Sequence, residues 1–131
     1  MAGRKSLRRG DVRWYRFPLP DKRRPVLILG KESLLQSAGE TPVVPFSTQI
    51  RALPWEVSLF PEEGLHVSSV LKPEWIRSVP VREIGPRICE FPTQRWDEVR
   101  AAVIEVLGLD VPLDRRPAMA RDAHPPPRSM C

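Results

Sequence analysis

The chain has 131 residues, 16 prolines and a formal net charge of +5, with an isoelectric point near 9.9. This length allows one domain with a real core but not two. The apolar run Val26–Leu29 is far too short for a membrane span or a signal-peptide core, so we expect a soluble cytoplasmic protein with no membrane partner. The excess of Lys and Arg points to a polyanionic partner, with nucleic acid as the first candidate.

The N-terminal part of the chain is strongly basic. Nine Lys or Arg lie within the first 24 residues, and residues 1–9 are predicted to form a flexible basic arm. Val12–Phe17 follows with aromatic and β-branched residues in rough alternation, which predicts a first strand. The connection Pro18–Arg24 then leads to Val26–Leu29, whose continuous apolar character predicts a second strand buried on both faces.

The middle of the chain consists of short apolar runs separated by prolines. This pattern is typical of short strands joined by tight connections rather than of long helices. The predicted segments are a helical turn around Ser33–Gln36 and strands at Pro42–Phe46, Trp55–Leu59, Val67–Leu71, Lys72–Val79 (with a Pro bend) and Ile84–Glu90.

One helix is predicted near the C-terminus. In Gln94–Leu107 the apolar residues recur at helical spacing, Thr93 is a candidate N-cap and Gly108 a candidate C-terminal cap. Residues 110–131 contain several prolines and few large apolar side chains, so we expect a disordered tail. The sequence therefore predicts a mainly β domain at residues 10–109 that ends in a helix.

The residues that most often bind metals or form disulfides are isolated in this sequence. The cysteines are Cys89 and Cys131, and the histidines are His66 and His124. These spacings match neither a disulfide framework nor a metal-ligand set, so we predict no metal site and no cofactor.

Arg24 and Ser47 stand at the ends of two apolar strands, and neighbouring strands would bring them together. Arg offers a planar, permanently charged fork for phosphate oxygens, and Ser adds a short neutral hydrogen bond. The two residues are therefore a candidate phosphate-binding pair. The alternative is a surface Arg before a strand and a Ser that opens a turn.

Four segments resemble, in order, those of the MazF/PemK (Kid) family of toxin ribonucleases. They are Gly10–Trp14, Arg24–Leu29, Val44–Gln49 and Val70–Val79, and the helix from Gln94 matches the C-terminal helix of the family. The resemblance implies an SH3-like small β-barrel of the MazF/CcdB type, with short helices in the connections, and a homodimer. It also implies sequence-selective cleavage of single-stranded RNA such as mRNA without a metal, by attack of the 2′-hydroxyl, leaving 2′,3′-cyclic phosphate and 5′-hydroxyl ends. The implied inhibitor is a cognate antitoxin, a small acidic protein with a disordered inhibitory segment.

The same resemblance implies roles for individual residues. Arg24 would stabilise the transition state, Ser47 would hold a phosphate oxygen or the 2′-hydroxyl, and Glu74 would be the general base. The alternative for Glu74 is a solvated carboxylate beside Lys72 or Arg77. The implied RNA contacts are Lys22, Arg23, Thr48, Gln49, Lys72, Trp75, Arg77 and Ser78.

Two further functions fit parts of the sequence. A non-catalytic nucleic-acid-binding barrel needs only the positive charge and the aromatic residues. A relative that poisons DNA gyrase has the same fold, but the Arg24 and Ser47 pair argues against it. The connection Pro18–Arg23 is shorter than the first loop usual in the family and lacks its acidic stretch, so the assignment of acid and base stays open.

Overall fold

The computed structural model describes residues 6–18 and 22–114 of the chain. The predicted arm at residues 1–5, the centre of the Pro18–Arg23 connection and the predicted tail at residues 115–131 lie outside these ranges. The described residues form seven strands and two α-helices, joined partly by 3₁₀ turns. The strands are β1 (Asp11–Arg16), β2 (Arg23–Ile28), β3 (Glu40–Ser47), β4 (Val57–Leu59), β5 (Ser69–Leu71), β6 (Arg77–Pro80) and β7 (Arg87–Glu90), and the helices are α1 (Glu32–Ser37) and α2 (Trp96–Leu107).

The strands form one curled antiparallel sheet in the order β4-β5-β3-β2-β1-β7, with β6 also paired to β3. Strand β3 is the centre of the sheet because it has three partners. Its residues Val43–Pro45 pair with β2, Phe46–Ser47 with β5 and Glu40–Val43 with β6. The mainly β fold with a C-terminal helix, predicted from the sequence, is confirmed.

Each face of the sheet carries its own apolar cluster, since successive side chains of a strand point to opposite faces. Leu27 and Val44 belong to the first cluster, which packs against α2 through Val99. Val26 and Val43, next to them in the chain, belong to the second cluster on the other face. The prediction that the second strand is buried on both faces is therefore confirmed.

Helix α2 ends as predicted but begins differently. Gly108 has φ 67° and closes the helix in the left-handed conformation that glycine adopts without strain. Thr93 is not the N-cap, because residues Thr93–Arg95 form a 3₁₀ turn and the cap residue is Arg95. The Arg95 guanidinium lies 2.8 Å from both Glu63 and Glu98, so ion pairs rather than a hydroxyl cap fix this end of the helix.

Two segments differ from the prediction for local reasons. Lys72–Val79 is not a continuous bent strand, because Pro73–Trp75 forms a 3₁₀ turn and strand β6 begins at Arg77. The turn places Pro73 at its first position, where the missing N–H costs nothing. Residues 6–9 belong to the predicted flexible arm, yet Leu7 is buried in the second cluster and the Arg8 N–H donates to Asp11.

Helix length also bears on membrane insertion. Among residues 6–18 and 22–114, no helix is long and apolar enough to cross a membrane.

Candidate active site

Arg24 lies on β2, and Ser47 ends the neighbouring strand β3. The pairing of the two strands ends at Val26 opposite Pro45, and β3 continues through Phe46 and Ser47 as the partner of β5. Both side chains alternate onto the face that carries the second cluster. The Arg24 Nη1 also donates to the Phe46 carbonyl at 3.3 Å, which holds the guanidinium against β3.

A pocket of about 240 Å³ opens at this end of the second cluster. Its lining combines two guanidinium groups with two aromatic rings. The Arg24 Cζ lies 5.6 Å from the centroid of Trp75 and 5.9 Å from that of Phe17. The Arg77 Cζ lies 5.4 Å from the Phe17 ring, and Pro45 completes the lining.

These lining residues suit one strand of a nucleic acid. Arg24 and Arg77 offer permanent positive charge and fixed donors for phosphate oxygens. The Trp75 side chain is 42% exposed, so its ring offers a face on which a base can stack. Of the predicted site residues, the structure therefore brings Arg24, Trp75 and Arg77 together, and Ser47 is not among the residues that line the pocket.

Ser47 occupies the end of β3, where the chain turns away from the sheet. Its Oγ accepts a hydrogen bond from the Gln49 N–H at 3.0 Å. A hydroxyl retains its own O–H and a second lone pair after accepting one bond, so Ser47 can still donate to a phosphate oxygen. Thr48 and Gln49 follow on the exposed turn.

Glu74 lies at the edge of the pocket with its carboxylate directed elsewhere. The Oε1 atom accepts from the Trp55 Nε1–H at 3.0 Å, and Oε2 lies 3.5 Å from the Lys72 Nζ. A general base must come within hydrogen-bond reach of the proton that it removes. These contacts match the alternative interpretation of Glu74, a carboxylate beside Lys72, and its role as general base stays a prediction.

Lys72 is not on the surface, as contact with RNA would require. Its side chain is 3% exposed and its Nζ lies 2.7 Å from the Glu56 Oε2. Burial raises the pKa of the Glu56 carboxyl, but hydrogen bonds from Lys72 and from the Arg51 N–H outweigh burial and hold that pKa below its ordinary value. The ammonium is therefore engaged inside the protein.

The remaining predicted contacts divide between the two faces of the sheet. Arg23 alternates onto the face opposite Arg24, where its Cζ lies 4.2 Å from the centroid of the half-buried Trp14. Lys22 and Ser78 are exposed, and neither lines the pocket. Ser78 follows Arg77 directly on β6, so it alternates onto the opposite face. The structure thus separates Arg23 and Ser78 from the pocket.

Sequence reasoning missed three residues that shape the site. Both guanidinium groups lie close to the Phe17 ring. In the sequence, the alternation of Phe17 with Tyr15 indicated only that the two side chains share a face. Pro45 had no signal beyond its place in β3. Glu56 pairs with a lysine 16 positions later in the chain, which no local pattern indicates.

Comparison with known proteins identifies the family of this chain. The family described as PemK-like, MazF-like toxin of type II toxin–antitoxin system matches residues 8–107. The Endoribonuclease MazF3 of Mycobacterium tuberculosis is 35% identical over 90 residues, which cover 69% of this chain and 87% of that protein.

Solved structures of toxins share the fold. The Mycobacterium tuberculosis toxin MazF-mt6 is 26% identical, with a TM-score of 0.69 over 75% of this chain and 96% of that one. A MazE–MazF structure from Deinococcus radiodurans is also 26% identical, with a TM-score of 0.66 over 78% of this chain and 95% of that one. With 100 of its 131 residues matched by the family, the chain belongs to the PemK-like, MazF-like toxins of type II toxin–antitoxin systems.

Proposed function

We propose that this MazF-type toxin endoribonuclease cleaves single-stranded RNA, with the scissile phosphate held between Arg24 and Ser47. The observation that carries the proposal is the pocket that Arg24 lines together with Arg77 and Trp75, and strand alternation puts Ser47 on the same face of the sheet. The pocket thus offers cations that can bind a phosphate next to a ring that can stack a base, as recognition of a single RNA strand requires.

The reaction that fits these groups uses the RNA's own 2′-hydroxyl as nucleophile. The 2′-oxygen forms a bond to phosphorus as its proton passes to a general base, and the bond from phosphorus to the 5′-oxygen breaks as that oxygen gains a proton. The products are a 2′,3′-cyclic phosphate and a 5′-hydroxyl. Charge on the phosphoryl oxygens increases on the way to the transition state, so a fixed cation beside them accelerates the step.

Each residue has a distinct part in this proposal. The Arg24 guanidinium stabilises the developing charge, and the Ser47 hydroxyl donates to a phosphate oxygen or orients the 2′-hydroxyl. Arg77 adds a second positive charge in the same pocket, so no metal ion is required for charge neutralisation. Trp75 stacks a neighbouring base. The general-base role that the resemblance implies for Glu74 is not part of this proposal, because both of its carboxylate oxygens contact Trp55 and Lys72.

Partners follow from the family. The Deinococcus radiodurans structure is a MazE–MazF structure, and we extend this arrangement to a cognate antitoxin that neutralises the present chain. A homodimer is proposed as well. Leu107, the last residue of α2, and Leu109 are large exposed apolar residues, which supports a partner surface at this end of the helix.

The test is a cleavage assay on a long, unstructured RNA in the presence of EDTA, comparing the wild type with Arg24→Ala. Mass spectrometry of the fragments should find cyclic phosphate and 5′-hydroxyl ends with the wild type and a large loss of product with the variant. Cleavage that persists undiminished in Arg24→Ala contradicts the proposed site. RNA binding without any cyclic-phosphate product would favour a non-catalytic nucleic-acid-binding barrel instead.

A further inference from the structure

A buried ammonium group connects two segments that are next to candidate site residues in the chain. One segment is the loop at residues 48–56, which follows Ser47, and the other is the turn Pro73–Trp75, which precedes Arg77. The Lys72 Nζ lies 2.7 Å from the Glu56 Oε2 and 3.5 Å from the Glu74 Oε2. The first carboxylate belongs to the loop and the second to the turn, so one cation joins both segments.

On the loop side, Glu56 holds the backbone as well as the ammonium. Its Oε1 and Oε2 accept from the Arg51 N–H at 3.1 and 3.4 Å, and its own N–H donates to the Leu53 carbonyl at 3.0 Å. Ala52 has φ 57°, in the left-handed region that residues other than glycine rarely adopt. These hydrogen bonds stabilise that conformation and so fix the path of the chain after Ser47.

On the turn side, Lys72 and Glu74 fix the position of Trp75. The Trp75 N–H donates to the Lys72 carbonyl at 2.9 Å, and the Lys72 Nζ lies 5.4 Å from the Trp75 ring centroid. The Lys72 N–H donates at 2.9 Å to the carbonyl of Pro45, which lines the pocket. Lys72 thus contacts Pro45 through its main chain and the Trp75 ring through its side chain, and both of these residues line the pocket.

The energetic balance of a buried ion pair favours a positioning role over a stabilising one. Removing two charges from water costs about as much as their attraction returns, so such a pair contributes little net stability. What it does provide is a fixed geometry, since the ammonium must keep both carboxylates within reach. Here that geometry includes the indole ring against which Arg24 lies at 5.6 Å.

We propose that Lys72 is a positioning residue of the RNA site, which acts by holding Trp75 as the stacking wall of the pocket and by fixing the loop after Ser47. Glu74 has the same part, as the carboxylate that ties Trp75 to Lys72 and Trp55. The inference rests on the proposed function, because it assigns a purpose to a wall of the proposed RNA pocket.

A binding measurement separates this role from a purely structural one. The probe is a fluorescein-labelled pool of 12-nucleotide 2′-O-methyl RNAs of random sequence, which has no free 2′-hydroxyl and cannot be cleaved. The variants are Trp75→Ala, the double variant Lys72→Met/Glu56→Gln, which removes both buried charges at once, and the triple variant. The control is Asp97→Asn/Arg100→Gln, which removes an exposed ion pair of 2.8 Å on α2.

The proposal predicts strong coupling between Lys72 and Trp75. Loss of one stacked base weakens binding by about tenfold, and the double variant should show the same loss. The triple variant should also lose about tenfold, since the two changes remove one interaction. Unchanged binding by the double variant, or a loss near a hundredfold in the triple variant, would overturn the proposal.

Folding and function are checked on the same samples. Urea unfolding confirms that each variant is folded. If the double variant is not folded, Glu74→Gln replaces it. Glu74→Gln should weaken binding of the RNA pool several-fold when introduced into the wild type and should not weaken it further when introduced into Trp75→Ala. A wild type that binds the pool but does not cleave a long RNA would overturn the proposed function alone. A wild type that does not bind the pool would overturn both.

Kinetics of Glu74→Gln distinguish positioning from general-base catalysis. A positioning role raises KM for a long RNA and leaves kcat and its dependence on pH unchanged. Loss of a general base lowers kcat by about 10²–10⁴ and removes the acidic limb of the pH–rate profile. The second result would overturn the role proposed here for Glu74.

Discussion

The indole ring of Trp75 lies between two cations in opposite surroundings. The Arg24 Cζ is 5.6 Å from its centroid and lines a pocket that opens to solvent. The Lys72 Nζ is 5.4 Å away, buried and bound to carboxylates. The comparison shows that proximity to an aromatic wall does not decide what a cation does. Arg24 can bind a ligand that enters the pocket, whereas Lys72 fixes the residues that form the pocket wall.

The largest expected effect is a difference in stability between variants of Lys72 and variants of Arg24. Lys72→Met leaves the buried Glu56 carboxylate without its cation, which should lower the free energy of unfolding by about 3–5 kcal/mol. Glu56→Gln in the same chain should restore most of that loss. Arg24→Met, on the solvent side of the ring, should change stability far less. Urea unfolding followed by circular dichroism measures all three, and equal destabilisation by both single variants would erase the distinction.

The next effect concerns catalysis on the Arg24 side. Ser47→Ala removes a hydrogen bond to a charged phosphate, worth about 1.5–3 kcal/mol, so kcat/KM should fall by about 10- to 100-fold. Thr48→Ala, on the adjacent exposed turn, is the matched control and should have a smaller effect. Cleavage rates on one long RNA give the comparison. A larger loss of kcat/KM in Thr48→Ala than in Ser47→Ala would contradict the role proposed for Ser47.

A third effect is the dependence of stability on pH, which arises from Glu56 beside Lys72. The folded-state pKa of Glu56 is lowered, so its contribution to stability is complete above the ordinary carboxyl pKa of about 4.3 and is lost as pH falls through the lower folded value. Stability should therefore decline below that pH more steeply in the wild type than in Glu56→Gln. Parallel pH profiles of the unfolding midpoint would contradict this assignment.

The smallest expected effect concerns the residues after Leu109. The tail is predicted to be dispensable, so truncation after Leu109 should change the free energy of unfolding by less than about 0.5 kcal/mol. Thermal unfolding of the shortened chain measures this change. Failure of the truncated protein to fold would show that the residues after Leu109 belong to the domain.

Local patterns were enough to predict the Arg24 side of this comparison. Two adjacent antiparallel strands, both predicted from the sequence, bring the Arg24 guanidinium to the Phe46 carbonyl of β3. Helix α2 was predicted from its periodicity and from Gly108 for the same reason. Lys72 was assigned to RNA from the resemblance and because a cation can bind the RNA backbone. Its burial depends on Glu56, which only the folded sheet brings within 2.7 Å.

The turn around Trp75 was equally hidden from the sequence. Glu74 sits in the segment that resembles the family motif, and the resemblance alone assigned it a catalytic role. The direction of its carboxylate depends on the indole of Trp55, a residue on another segment of the chain. Contacts of this kind are set by tertiary packing, so a residue's type and spacing indicate its neighbourhood but not its partner.

The most direct test of the account is the single-turnover cleavage rate of Arg24→Ala, measured with EDTA on a long single-stranded RNA at saturating enzyme. Arg16→Ala is the matched control, since Arg16 is an exposed arginine at the end of the adjacent strand β1. The account predicts a loss of at least about 10²–10³-fold for Arg24→Ala, because a fixed donor to the developing charge is removed. It predicts a rate for Arg16→Ala close to that of the wild type. Equal rates for the two variants would contradict the claim that the Arg24 pocket is where RNA is cut.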